Sequence, residues 1–151
     1  MPRYHDRRLR AGERLKARAA IDALFRRATP APADHGTQAL GYSGGPTSSV
    51  KAYPLRLVYR ELPPDPALPP ARVGVVASKR TFKRAPDRNH VKRRIREAYR
   101  YRKTALYEWL EHRGYRLDGM ILFTGRDLPT QRDIHRAWTK LLRRLDPEWF
   151  A

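Results

Sequence analysis

The sequence predicts a single α+β domain in which a small mixed β-sheet is packed by helices. Three observations carry that expectation. Apolar residues recur at helical spacing in residues 12–28, after residue 87 and after residue 130. Tyr53–Arg60 alternates, and Leu117–Gly125 is almost continuously apolar, as strands do. The order of these patterns is helix, strands, basic helix, strand, helix, with no internal repeat. A chain of 151 residues is long enough for one domain with a real core.

Each element has its own signal. In the first helix, expected over 12–28, Leu15, Ala19, Ile21, Leu24 and Phe25 supply the apolar face. Residues 29–50 lose all periodicity under Pro30, Pro32, Gly36, Gly41, Gly44, Gly45 and Pro46, and read as a flexible insertion. In Tyr53–Arg60 one face carries Leu55, Leu57 and Tyr59, the other Arg56, Val58 and Arg60; Pro54 is tolerable at a strand start. A proline-rich connection leads to a second strand, Arg72–Ser78, expected to pair with the first as a hairpin. Asp87 is the expected N-cap of the basic helix, whose stripe is Val91, Ile95, Ala98, Tyr99 and Leu106. Leu117–Gly125 should be buried on both faces. Thr130, with Asp133 three residues on, opens the last helix as a capping box, and Ile134, Ala137, Trp138, Leu141, Leu142 and Leu145 form its stripe.

Charge decides the class of partner. The chain carries 33 Lys+Arg against 15 Asp+Glu, a net of +18. Residues 79–103 hold +10 and residues 1–27 hold +6, whereas 28–78 and 104–151 hold +1 each. On a helical wheel Asn89, Lys92, Arg93, Arg96, Arg100 and Lys103 fall opposite the apolar stripe, with only Glu97 against them. A solvated face normally mixes signs; a one-signed ridge fits a polyanion, and nucleic acid is the first candidate.

Other classes are disfavoured. There is no cysteine, so no disulfide framework, thiolate metal site or cysteine nucleophile; this fits a cytoplasmic setting. The longest apolar run, Met120–Phe123, is far too short to span a membrane, and the N-terminus lacks the apolar stretch of a signal peptide. The five histidines show no metal-ligand spacing, and no phosphate loop is present. Asp118, Asp127 and Asp133 are close enough in sequence to gather a metal, but turns and a cap explain them better. Phe25, Tyr53, Tyr59 and Phe82 lie near basic residues in sequence, the combination that stacks unpaired bases while neutralising phosphates. Phe25 and Tyr59 serve equally well as core.

The run Arg88-Asn89-His90-Val91-Lys92-Arg93, preceded by Ser78-Lys79-Arg80, resembles the signature of the protein subunit of bacterial ribonuclease P. The first helix with Arg14, Lys16 and Phe25, the strands and the last helix are similar to that family in order. The resemblance covers most of residues 12–145. It departs at His90, where the family usually has arginine, and in the length of 29–50. It implies a catalytic RNA that removes the 5′ leader of precursor tRNA with Mg²⁺ held mainly by RNA, the protein itself requiring no cofactor. It implies a left-handed βαβ crossover at the basic helix, against the usual right-handed rule. It further implies that Lys79, Arg80, Lys83, Arg84, Arg88, Asn89, His90, Lys92, Arg93, Arg96 and Arg100 meet the RNA subunit, and that Arg14, Lys16, Phe25, Lys51 and Tyr53 meet the leader. No catalytic or metal-ligating residue is expected in the protein. The alternative is a structural RNA-binding protein, such as a ribosomal protein.

Overall fold

The computed structural model of the chain describes residues 6–25 and 47–150. Strands β1 (Ser48–Ala52), β2 (Leu55–Leu62), β3 (Ala71–Val76) and β4 (Arg116–Phe123) form one sheet in the order β1-β2-β4-β3. Helices α1 (Arg18–Phe25), α2 (Ala85–Arg113) and α3 (Gln131–Leu145) pack on it. The α+β class and the mixed sheet are as expected. β2 runs antiparallel to both β1 and β4, while β3 pairs in parallel with β4. Parallel neighbours need a long crossover, and α2 supplies it.

The expected hairpin between the strands now labelled β2 and β3 does not form. β4, apolar on both faces, takes the position between them. β1 takes the other flank of β2. It lies at the end of the Gly/Pro-rich run, and Ser48-Ser49-Val50-Lys51-Ala52 lacks the apolar alternation that marks a strand. The expected insertion at 29–50 is therefore shorter by at least Ser48–Val50; residues 29–46 lie outside the described residues. Tyr53 and Pro54 form the turn between β1 and β2.

The two sheet faces bury against different helices. Leu55 and Leu57 stand opposite Phe123 and Ile121, and this face joins Ile95, Leu106, Leu110, Ile134, Trp138 and Leu141 of α2 and α3 in the main core. Burying a side chain such as Ile121 completely contributes about 1.5–3 kcal/mol. On the other face Val58 and Met120 meet Leu15, Ala20 and Leu24. The sheet thus lies between α1 on one side and α2 with α3 on the other.

The first helix is shorter than expected. Ala11–Glu13 is a 3-10 turn, Arg14 forms a parallel bridge to Val73, and α1 begins only at Arg18; residues 26–28 lie outside the described residues. Leu15 N–H donates to Val73 O at 3.2 Å, so this segment covers part of the exposed edge of β3. Gly74 makes the approach possible, because a Cβ there would lie 3.2 Å from Leu15 O and 2.5 Å from Met120 Sδ.

Two further expectations change on α2. Its first residue is Ala85 and its N-cap Arg84 makes no side-chain bond, so Asp87 lies within the first turn. Its charge there still favours the positive end of the helix. Lys103, expected on the cationic side, is fully buried, and its Nζ lies 2.6 Å from Oε1 of the equally buried Glu13. Lys103 also donates to Arg8 O, and the Tyr107 hydroxyl donates to Glu13 Oε1 at 2.7 Å. Burial pushes the Tyr107 phenol well above its ordinary range, so it remains a donor. These bonds strap residues 8–13 onto the middle of α2. The helix stops at Gly114, whose left-handed φ of 72° suits glycine. The capping box of Thr130 and Asp133 forms as expected.

Candidate nucleic-acid interface

The connection from β3 to α2 is rigid at its centre and cationic at its surface. Phe82 is buried against Phe123 with ring centroids 5.7 Å apart, so it anchors the loop and is not available to stack a base. Arg88, half-buried, donates to Phe82 O at 2.9 Å and to Lys83 O at 3.0 Å, which clamps the loop to the first turns of α2. Lys79, Arg80, Lys83 and Arg84 are left exposed around that anchor.

Along α2 the cations meet a second segment. Asn89, Arg93, Arg96 and Arg100 line a groove of about 740 Å³ with Arg7, Arg8 and Arg14 from the N-terminal strap. Arg100 donates to Arg7 O at 3.1 Å and pairs with Glu97 at 2.5 Å. The pairing holds the Glu97 carboxyl below its usual range. Partial burial, and to a lesser degree the neighbouring Arg14, lower the Arg96 guanidinium from its ordinary value. His90 is exposed and Lys92 half-buried on the same helix. Arg7 and Arg8 were not among the residues singled out by the sequence. Their contribution comes from the Glu13–Lys103 strap, which has no signature in a linear pattern.

The residues assigned to the leader are divided among three places. Phe25, 49% exposed, lines a cleft of about 270 Å³ between α1 and the sheet, with Ser49, Arg56 and Val58. Lys51 pairs in register with Arg56 and so belongs to the same sheet face. Arg56 donates to Ser49 Oγ at 3.3 Å, while its buried Nε has no partner among the described residues. That leaves a guanidinium beside an open aromatic ring, although the sequence reading had not assigned Arg56 to a site. Arg14 and Lys16 sit at the β3 edge, where Arg14 approaches Arg96. Tyr53, 75% exposed, lines a different pocket with Asp127, Arg136 and Lys140. Tyr59 packs against the main core, with its phenol pushed up by burial.

Asp118 is occupied by cations of the protein itself. It accepts from Arg72 at 3.0 and 2.8 Å and from Arg116 at 2.9 Å. Among the described residues no three His, Cys, Asp or Glu side chains gather to hold a metal, and no helix is long and apolar enough to cross a membrane. The arrangement can therefore bind phosphates along α2 and stack a base between α1 and the sheet.

Comparison with known proteins agrees with this geometry. The family model described as Ribonuclease P matches residues 45–146. The ribonuclease P protein components of two strains of Porphyromonas gingivalis are 36% and 38% identical over 101 residues, covering 67% of this chain and 73% of each relative. The Staphylococcus aureus RNase P protein superposes with a TM-score of 0.59 over 89% of this chain and 95% of that one, at 16% identity.

Proposed function

The chain belongs to the ribonuclease P protein family and is a subunit of that ribonucleoprotein endonuclease; on that premise we propose that it binds the catalytic RNA and the 5′ leader of precursor tRNA. In this role it supports endonucleolytic removal of the leader, giving the mature tRNA 5′ end. The observation that carries the reading is the two-sided arrangement: a cationic groove along α2, and an aromatic–arginine cleft on the opposite face of the sheet.

The RNA subunit contacts are Lys79, Arg80, Lys83, Arg84, Arg88, Asn89, His90, Lys92, Arg93, Arg96 and Arg100. Arg88 acts partly by holding the loop. The leader contacts centre on Phe25 and Lys51 with Arg56 added, Arg14 and Lys16 continue them at the β3 edge, and Tyr53 is a peripheral contact. Mg²⁺ is held by RNA oxygens, since the carboxylate best placed in the sheet, Asp118, is already neutralised by Arg72 and Arg116. The β3–α2–β4 unit joins two parallel strands, and its crossover is proposed to be left-handed, as the family resemblance implies. The expected compartment is the cytoplasm.

The test is precursor-tRNA cleavage by a bacterial ribonuclease P RNA at low Mg²⁺, with and without the protein. The protein alone should not cleave, and its addition should raise cleavage by the RNA. RNA-free cleavage that survives repurification would overturn the assignment of catalysis to RNA. Tight binding to the RNA with no gain in cleavage would favour a purely structural RNA-binding role.

A further inference from the structure

The outer side of α2 and α3 carries a second cationic surface. Helix α3 holds Arg132, Arg136, Lys140, Arg143 and Arg144 against one acid, Asp133. That acid is engaged at the helix start, where its Oδ2 accepts from Thr130 N–H at 3.3 Å. Arg144 is turned to the sheet edge and donates to Lys51 O. Arg132, Arg136, Lys140 and Arg143 recur at helical spacing, all exposed, and none makes an ion pair among the described residues.

These four line a groove of about 660 Å³ with Arg102 and Tyr101 of α2. Tyr101 is 48% exposed. His135 meets its ring edge-on at 5.5 Å, and the Arg7 and Arg100 guanidinium carbons lie 4.7 and 5.5 Å from the ring centroid. Glu97 borders this groove and the strap groove alike. The two cationic surfaces are therefore continuous around α2, with an aromatic ring at the junction.

We propose that the α2–α3 groove is a second docking surface for the phosphodiester backbone of the catalytic RNA, continuing the contact made by the strap groove. The inference rests on the ribonuclease P reading. Guanidinium forks with one exposed aromatic suit RNA backbone and a stacked base. Tyr101 would serve an acidic protein as well as a base, so what favours RNA is the continuity of this groove with the cationic strap groove, where the RNA subunit is already proposed to lie. The groove lies on the α2/α3 side of the sheet, opposite the Phe25–Arg56 cleft, and is continuous with the RNA-subunit contacts, while Arg136 and Lys140 also border the Tyr53 pocket.

The experiment compares RNA affinity against salt for the intact protein, for Arg132→Gln with Arg136→Gln, for Arg18→Gln with Arg126→Gln, and for Arg93→Gln. The RNA is a bacterial ribonuclease P RNA. Both paired variants remove the same charge. The α3 pair should lower the log–log salt slope by about 1.5, at about 0.7–0.9 per lost phosphate contact, while the control pair leaves it nearly unchanged. Equal slopes for the two pairs, or no loss in the α3 pair, overturn the inference. If Arg93→Gln loses slope while the α3 pair does not, only the second surface falls; if the intact protein does not bind the RNA, the ribonuclease P reading falls with it. The chain has no cysteine, so Arg136→Cys gives a unique attachment point for a hydroxyl-radical source. Discrete cuts in the RNA support the surface. Their absence, while the same probe on Arg93→Cys cuts, overturns it.

Discussion

At the scale of single residues, chemistry was legible wherever a residue keeps its sequence neighbours and obscure wherever it meets a distant partner. Arg93 and Asn89 are where a helical wheel places them. Lys103 is not, because Glu13, remote in sequence, draws it into the interior. Removing one member of a buried pair strands the other charge, so Lys103→Met should destabilise the fold by about 3–5 kcal/mol in urea unfolding. Glu13→Gln combined with Lys103→Met should cost less than Lys103→Met alone; an equal or larger loss would mean that packing, and not charge, dominates. The same contrast between local and distant contacts governs Tyr53. The family resemblance implied a leader contact for it, and its neighbours in space are Arg136 and Lys140. Phe25→Ala in the holoenzyme should weaken precursor-tRNA binding by about 1–3 kcal/mol and leave mature tRNA, which lacks a leader, almost unaffected. Tyr53→Ala should show a smaller precursor-specific loss. Equal losses for both ligands in Phe25→Ala would remove that ring from the leader cleft.

At the scale of elements, α2, β4 and α3 were readable because each carries a strong period or a long apolar run. β1 was not, since a two-sided edge of serines and one lysine resembles a loop. The α3 cations were hidden for another reason. Charge counted along 104–151 sums to +1, but the acids of that segment lie largely off α3, so a linear count averages over faces that the fold separates. The capping box offers a clean test of local stability. Thr130→Ala should cost about 1 kcal/mol, measured by thermal or urea unfolding. The bonds from the Thr130 hydroxyl and amide hold the Asp133 carboxyl below its ordinary 3.8. A carboxyl lowered by folding stabilises above its unfolded value and loses that contribution as the pH falls through the folded one. Asp133→Asn should therefore lower the Tm at neutral pH, with the difference from the parent closing below pH 3.8. A constant difference down to acid unfolding would show that the charge of Asp133 contributes nothing.

At the scale of the whole molecule, a net charge of +18 opposes compaction while it attracts RNA. Salt should therefore act in opposite senses on the two equilibria. Between about 50 and 200 mM salt the free protein should gain thermal stability as self-repulsion is screened, while affinity for the catalytic RNA falls by orders of magnitude. Parallel changes in both would place the charge in internal ion pairs and not on a binding surface. The class of fold and the class of partner were visible in the sequence, because periodicity and charge density are bulk properties. The strand order and the N-terminal strap were not, because they depend on which distant segments meet.

The layering of the sheet has a geometric consequence. Layers of this kind stack at about 10 Å, so the α1 layer and the α2–α3 layer stand on the order of 20 Å apart. On the proposed reading, a leader strand against Phe25 and an RNA backbone against Arg93 would be set at a distance fixed by Leu57, Ile121 and Trp138, all buried in the main core. The interior works as a calibrated spacer. A swollen core would leave both contacts chemically intact and still misalign the scissile bond with its cutter.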